Sequence, residues 1–333
     1  MQKRLLLLLA AGLGFGNTQS ATAISHVAGF ARTAGCPAPA AMQLDLTRYG
    51  VPLLLQVPEG TRAVRSLYGN VEVNGPNFAL TISEMGNSVY TPQKSVEQHK
   101  AYISSGYKTV VDEPLVFRAL SESEDSDESF VVAVNNPGAQ KHYLITKGEK
   151  SDHSYTAFGA AATTVMYEAA HSARLTPAAL AAKPQEEYAE AEPIAIERNA
   201  AGEVDLSDYS MPVLVKVPAG TTMKLLSLGG VALNGPAYSV RVQGEEAKAA
   251  ERIAKIASNR KSVRDAGYVV AVVEPTSALG KSKSGELFWI VTLPDATHGK
   301  VYSLEYYPSY DKRSTTVQCQ AMYASAKTAH VKK

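Results

Sequence analysis

The sequence predicts an α+β fold made of two homologous repeats, each a mostly antiparallel sheet packed with two helices in the order strands, helix, strands, helix. Three observations carry this expectation. The block from Asp45 to Pro76 (DLTRYGVPLLLQVPEGTRAVRSLYGNVEVNGP) aligns without gaps on Asp205 to Pro236 (DLSDYSMPVLVKVPAGTTMKLLSLGGVALNGP), with 14 of 32 columns identical. Each block leads into runs of period two and then into a stretch of helical period that stops at Gly-Tyr. Connections between successive strand-like runs are short, which suits antiparallel pairing rather than crossovers.

The domain plan follows from composition along the chain. Residues 1–23 read as a secretory signal peptide, with Lys3 and Arg4 before an apolar run from Leu5 to Gly16 and a small-x-small site at Ala21-Thr22-Ala23. Residues 24–44 read as a flexible leader, 45–174 as the first repeat domain, and 205–330 as the second. Between them, residues 175–204 are rich in Ala, Pro and Glu and read as a linker, because prolines at 177, 184 and 193 interrupt helix. A short helix over Gln185 to Glu192 is the alternative there.

Within each repeat, Pro52 to Val57 and Pro212 to Val217 are apolar runs closed by Pro-x-Gly-Thr, the pattern of a strand stopped by a turn. A β-rich stretch broken at Gly69, or at Gly229-Gly230, precedes Asn-Gly-Pro, whose Asn and Gly tolerate positive φ. Alternation then puts Phe78, Leu80 and Ile82 on one strand face, and Tyr238, Val240 and Val242 on its counterpart. Helices are expected over Gln93 to Ser105 and Glu245 to Asp265, each stopped by a glycine. Strands are expected from Tyr107 to Glu113 continuing to Ala119, from Ser129 to Val134 and from Lys141 to Lys147, with second-copy matches at Tyr268 to Glu274, Leu287 to Thr292 and Lys300 to Tyr307. Closing helices are expected over Ala160 to Ala173 and Thr315 to Ala329.

This layout resembles the Mog1/PsbP/DcrB type of α/β sandwich. The features carrying the resemblance are the opening strand ending in Val-Pro-x-Gly (Val57 to Gly60, Val217 to Gly220), the mid-repeat helix ending in Gly-Tyr, the aromatic strand near Tyr302 and the terminal helix. It covers both repeats at the level of architecture. It implies an accessory or interaction module, a function that a shared fold by itself does not establish.

Composition narrows the function classes. The 333 residues are 45% hydrophobic and 20% charged, and 33 Lys plus Arg against 32 Asp plus Glu leave a net charge of +1, which points away from disorder and from nucleic acid as a partner. No run reaches the roughly 18 apolar residues of a membrane span. The charge is unevenly shared: residues 45–174 hold 11 basic and 15 acidic groups, net −4, while 205–333 hold 17 and 11, net +6. Opposite charge on equivalent surfaces would favour docking of the repeats as a pseudo-dimer, or a bipolar surface for partners.

Candidate chemistry is sparse. The acidic stretch Glu122, Glu124, Asp125, Asp127 and Glu128 offers hard oxygen ligands but lacks the glycine and distal glutamate of an EF-hand, so a solvated hairpin tip is expected. The seven histidines show no metal-ligand spacing, there is no Gly-x-Ser-x-Gly and no phosphate-binding glycine loop, so no catalytic residue, metal or cofactor is assigned. Cys36 and Cys319 form a candidate disulfide if the chain is exported. Otherwise Cys319 is a small hydrophobe on a helix and Cys36 sits in the leader or carries a lipid. Trp289, Tyr306, Tyr307 and Tyr310 form a candidate ligand-contacting aromatic group at a strand exit; against it, alternation would put Trp289 and one of Tyr306 or Tyr307 in the core.

Together these readings imply a secreted or periplasmic, non-enzymatic protein that binds a protein or cell-envelope component. An envelope hydrolase or small-ligand binder with its site in the groove between the repeats is the first alternative. A structural surface component is the second.

Overall fold

The computed structural model describes residues 41–103, 106–122, 128–148, 158–183, 193–226, 229–265, 268–283, 285–306 and 314–332. In the first half, β1 (Ala41–Asp45) pairs antiparallel with β2 (Leu53–Pro58). Asp45 accepts the Thr47 N–H at 2.9 Å, and a 3-10 turn over Thr47–Tyr49, closed by Gly50 at φ +81°, reverses the chain. A meander of β3 (Arg62–Arg65), β4 (Val71–Gly75) and β5 (Phe78–Gly86) follows. Then come α1 (Pro92–Tyr102), β6 (Tyr107–Glu113), β7 (Val116–Ser121), β8 (Glu128–Asn136), β9 (Lys141–Lys147), α2 (Ala160–His171), β10 (Arg174–Leu175) and α3 (Pro177–Ala181). α1 begins where Thr91 accepts the Lys94 N–H at 3.2 Å and Pro92, which has no N–H to leave unpaired, takes the first turn.

The second half contains β11 (Ile194–Ala195), β12 (Glu203–Asp205), β13 (Val213–Lys216), β14 (Thr222–Leu225), β15 (Val231–Gly235), β16 (Tyr238–Glu246) and α4 (Ala249–Asp265). It closes with β17 (Val269–Glu274), β18 (Ser277–Lys281), β19 (Leu287–Asp295), β20 (Lys300–Tyr306), α5 (Thr316–Ala326) and β21 (His330–Val331). The described strands form four sheets. Two are large, in the orders β3-β4-β5-β9-β8-β7-β6 and β11-β14-β15-β16-β20-β19-β18-β17, and two are three-stranded, β1-β2-β10 and β12-β13-β21.

Alternation along the central strands feeds two layers. On β8, Phe130 and Val132 face a core that also holds Leu53, Leu55 and Val57 of the small sheet and Met166 and Ala170 of α2. Val131 and Ala133 face the other way, with Phe117 and Ala119, and are covered by Val96 of α1. The main apolar cluster runs continuously from Leu46 to Ala329, so residues of both halves share one core. Among the described residues, no helix is long and apolar enough to cross a membrane.

This architecture corrects the expected α+β fold. Strand outweighs helix, 46% to 24%, and among the described residues there are four sheets and five helices rather than one sheet and two helices in each repeat, strung strands-helix-strands-helix. The additional small sheets come from strands of two to five residues, β1, β10, β12 and β21, drawn partly from stretches that read as leader and linker. Segments so short show no periodicity, and their pairing is decided by the long-range contact with β2 or β13. The stretch expected to run as one strand from Tyr107 to Ala119 is a hairpin, β6 and β7 reversing at Pro114-Leu115. The Asn-Gly-Pro turn is also differently built. Pro76 and Asn77 are its central pair and the positive φ, +53°, falls on Asn77. Gly75 is required for space instead, since a Cβ there would lie 2.8 Å from Thr61 Oγ1.

Candidate functional site

Three constellations bring chemistry-bearing side chains together. The first is the seam between the halves. The 3-10 turn before β2 carries Arg48 and Tyr49, and the matching turn Ser207–Tyr209 before β13 carries Asp208 and Tyr209. Arg48 Nη2 donates to Asp208 Oδ2 at 2.7 Å, the two tyrosine rings lie 6.2 Å apart at 55°, and the Tyr209 hydroxyl donates to the Arg48 carbonyl at 3.3 Å. Arg65 reaches in from β3, giving Nη1 to the Tyr49 carbonyl at 2.7 Å and Nη2 to the Leu226 carbonyl at 3.5 Å. Burial pushes the Arg65 guanidinium below its ordinary value and the Tyr209 phenol up to about 12. The seam is packed: a Cβ on Gly229 would lie 1.6 Å from the Leu67 carbonyl oxygen, and one on Gly50 would lie 2.8 Å from Leu225 Cδ1.

The second constellation pins α1 to its sheet. Ser95 Oγ lies 2.8 Å from His142 Nε2, and His142 Nδ1 lies 2.8 Å from Asn87 Oδ1. The carboxamide oxygen can only accept, so Nδ1 carries the proton and Nε2 accepts from the Ser95 hydroxyl. Asn87 is held in turn by Asn135, its Nδ2 donating to Oδ1 at 3.3 Å. This is the order nucleophile, base, orienter that activates serines in hydrolases. Both Ser95 and His142 are sealed, at 3% and 0% exposure, and burial keeps the imidazole below its ordinary pKa, hence neutral. The second half solves the same mechanical problem without a histidine. Asn259 on α4 donates to Thr292 Oγ1 at 3.0 Å and to Ser303 Oγ at 3.1 Å.

The third constellation holds the candidate aromatic group. Trp289 on β19 is fully buried, 5.9 Å from the Tyr323 ring, and its Nε1 has no acceptor among the described residues. Tyr306 ends β20 with its ring buried and its hydroxyl accepting the Ser314 N–H at 3.1 Å. Both side chains are therefore core. Tyr307 and Tyr310 lie outside the described residues. Cys319 is a buried free thiol on α5 that burial pushes up in pKa; Cys36, its candidate partner, lies outside the described residues.

The acidic stretch is only partly described, with Glu124, Asp125 and Asp127 outside. Its last member is no solvated ligand, since Glu128 is buried and ion-paired with Arg118, whose guanidinium lies 4.4 Å over the Tyr167 ring. Among the described residues, no group of three His, Cys, Asp or Glu is placed to hold a metal ion.

Sequence reasoning missed the seam, although a signal was present. Within the duplicated block, Arg48 against Asp208 is the one aligned column of opposite charge. It missed the Ser95–His142–Asn87 chain because its members come from a helix, a strand and a turn with no fixed spacing. Comparison with protein-family models, with curated proteins and with solved structures finds no match to this chain.

Proposed function

We propose that this chain is a non-enzymatic binding protein of the secretory route, acting in the cell envelope or outside it, with its two halves docked as a pseudo-dimer. The observation that carries the reading is a pair of open sheet edges. Among the described residues, β6 ends one large sheet opposite β3 and β17 ends the other opposite β11, and each of β6 and β17 holds an exposed valine, Val110 at 49% and Val269 at 72%. An open edge can take up an extended segment of a partner by strand addition. Both edges carry a bulge, between Thr109 and Val111 and between Val270 and Val272, a device that discourages indiscriminate edge pairing. Two such edges on one compact unit suit bivalent engagement, in which the second contact benefits from a raised effective concentration. The signal-peptide pattern of residues 1–23 supports export, and the Mog1/PsbP/DcrB resemblance points toward accessory modules.

The test is retention of envelope proteins by the immobilised full chain, compared with the Val110→Glu/Val269→Glu variant. A protein retained by the first and lost from the second supports the reading, and equal retention refutes the edge as the binding surface. Recovery from an extracytoplasmic fraction of a chain cut after Ala23 checks the address. A second reading, hydrolysis, is favoured by the Ser95–His142–Asn87 chain alone. Ester turnover by the full chain that Ser95→Ala abolishes would establish it in place of the first.

A further inference from the structure

We infer that the halves meet about a pseudo-twofold axis passing beside residues 48–49 and 208–209, and that the charge inverted at that axis makes the pairing heterotypic. Each half then accepts the other and rejects a second copy of itself. This rests on the docking part of the proposed reading and adds what decides the partner.

The axis follows from the numbering. Arg48 aligns with Asp208 and Tyr49 with Tyr209, each 160 positions on, and both aligned pairs are in direct contact. Domains stacked by translation would hold equivalent residues about a domain diameter apart, on the order of 30 Å for chains of this size. In an isologous pair residue i meets j and j meets i, and only residues beside the twofold meet their own counterparts, as Arg48 and Tyr49 do here.

A residue on such an axis judges self against non-self. A pair of first halves would set Arg48 against Arg48, and a pair of second halves Asp208 against Asp208. Only the mixed pair joins opposite charges, as the 2.7 Å contact does. The side chains are 58% and 49% exposed, so this ion pair adds little affinity; partner choice is what such rim charges set.

A steric feature independently disfavours the pair of first halves. Leu67 of the first half seats against Gly244 of the second, where a Cβ would lie 2.7 Å from Leu67 Cδ2. The position equivalent to Gly244, third from the end of the matching nine-residue strand, is Glu84. A pair of first halves would therefore have to fit a glutamate where the mixed pair has only hydrogen. The apolar contact disfavours the pair of first halves, and the charge inversion disfavours both like pairs.

The experiment is hydrogen exchange on the full chain at the seam amides of 206–211 and 229–230, with protection of α2 and α5 as the folding control. Arg48→Asp and Asp208→Arg should each raise seam exchange about fivefold at low salt, the size of a lost exposed pair plus the like-charge penalty that replaces it. High salt should shrink that rise. The charge swap Arg48→Asp/Asp208→Arg should return exchange to the original rate, and Gly244→Glu should open the seam at any salt. If the swap merely adds the two single effects, or the singles change nothing, the inference is overturned. Gly229→Val separates this from failure of the docking itself. A seam unaffected even by that collision with the Leu67 carbonyl is not a docked interface, and then the docking reading falls as well.

Discussion

The two halves place different chemistry at one position of one framework. In the first, β7 and β8 bury the Arg118–Glu128 ion pair, with Arg118 over Tyr167, Tyr167 edge-on to Phe130 at 5.8 Å and stacked on His171 at 5.7 Å. In the second, the strand positions of Arg118 and Glu128 are Leu279 and Leu287, Phe130 becomes Trp289, and Tyr167 becomes Tyr323. The cation over the tyrosine is retained but relocated, with Lys327 at 4.9 Å in the place of His171. Two leucines need only close packing. The ion pair must recover the cost of removing two charges from water, and does so through its contact and the aromatic face above it. The same backbone thus tolerates either solution, provided both members of the pair change together.

The largest expected effect breaks the pair at one end. Glu128→Leu leaves the Arg118 guanidinium, 14% exposed, without its carboxylate and should cost about 3–5 kcal/mol. The double change Arg118→Leu/Glu128→Leu, which installs the second half's pair, should recover most of that loss. Denaturant midpoints of the two variants check it. A double variant as unstable as the single would mean that the equivalence of the two positions fails.

Trp289→Phe sharpens the comparison, since it gives the second half the first half's aromatic. The change removes an indole N–H with no acceptor among the described residues, which relieves a desolvation cost, and it also removes ring contacts and leaves space. The opposing terms should leave a net loss of about 1 kcal/mol, against about 3–5 kcal/mol for Trp289→Ala. Thermal unfolding of both variants separates the two contributions.

Individual elements of this framework were legible from sequence, while the arrangement into four sheets was not. The long strands and α1, α2, α4 and α5 overlap spans marked by period-two and helical patterns, although β8 runs past both ends of its expected stretch and Ala254 and Ala257 of α4 are exposed. The small sheets were not legible, since Arg174–Leu175 and His330–Val331 are strands only by virtue of pairing with β2 and β13, far off in sequence. The candidate site was legible in one respect. Alternation placed Trp289 and one of its tyrosine companions in the core, which is where Trp289 and Tyr306 lie. The buried polar chain through His142 depends on three-dimensional approach, which composition and spacing do not encode, and the seam left one trace, the aligned column of opposite charge at Arg48 and Asp208.

The helix pins and the β-turns divide the halves by pH. Burial holds His142 and His99 below the ordinary histidine value, so as pH falls below about 6.5 the unfolded chain takes up protons that the folded first half refuses. Stability tied to these groups is present above that value and lost on the way down toward their depressed folded values. The second half has no histidine in its pin and should respond lower. At its β19–β20 turn, burial alone would raise Asp295, but bonds from the His298 N–H at 3.1 Å, the His298 ring at 2.7 Å and the Tyr302 hydroxyl at 3.3 Å hold it below the ordinary carboxylate range. That contribution is present above about pH 4 and is lost as pH falls through the lowered value. Hydrogen exchange as a function of pH should therefore show α1 loosening before the β19–β20 turn, and His142→Asn should weaken the first response, leaving the His99 share, without changing the second. Simultaneous loosening of both would refute the assignment.

The smallest effect concerns the closing helices. α5 starts with a capping box, Thr315 Oγ1 accepting the Gln318 N–H at 3.3 Å while the Gln318 side chain accepts the Thr315 N–H at 2.8 Å. Its counterpart α2 starts at Gly159, which offers no side chain to the free N–H groups of the first turn. Thr315→Ala should cost about 1 kcal/mol. Gly159→Ser should gain a few tenths, because Gly159 already has the extended backbone of a cap, φ −63° and ψ 156°, and a Cβ there meets nothing within 4 Å. Loss in the first variant without gain in the second would locate the difference in packing around α2 rather than in the cap.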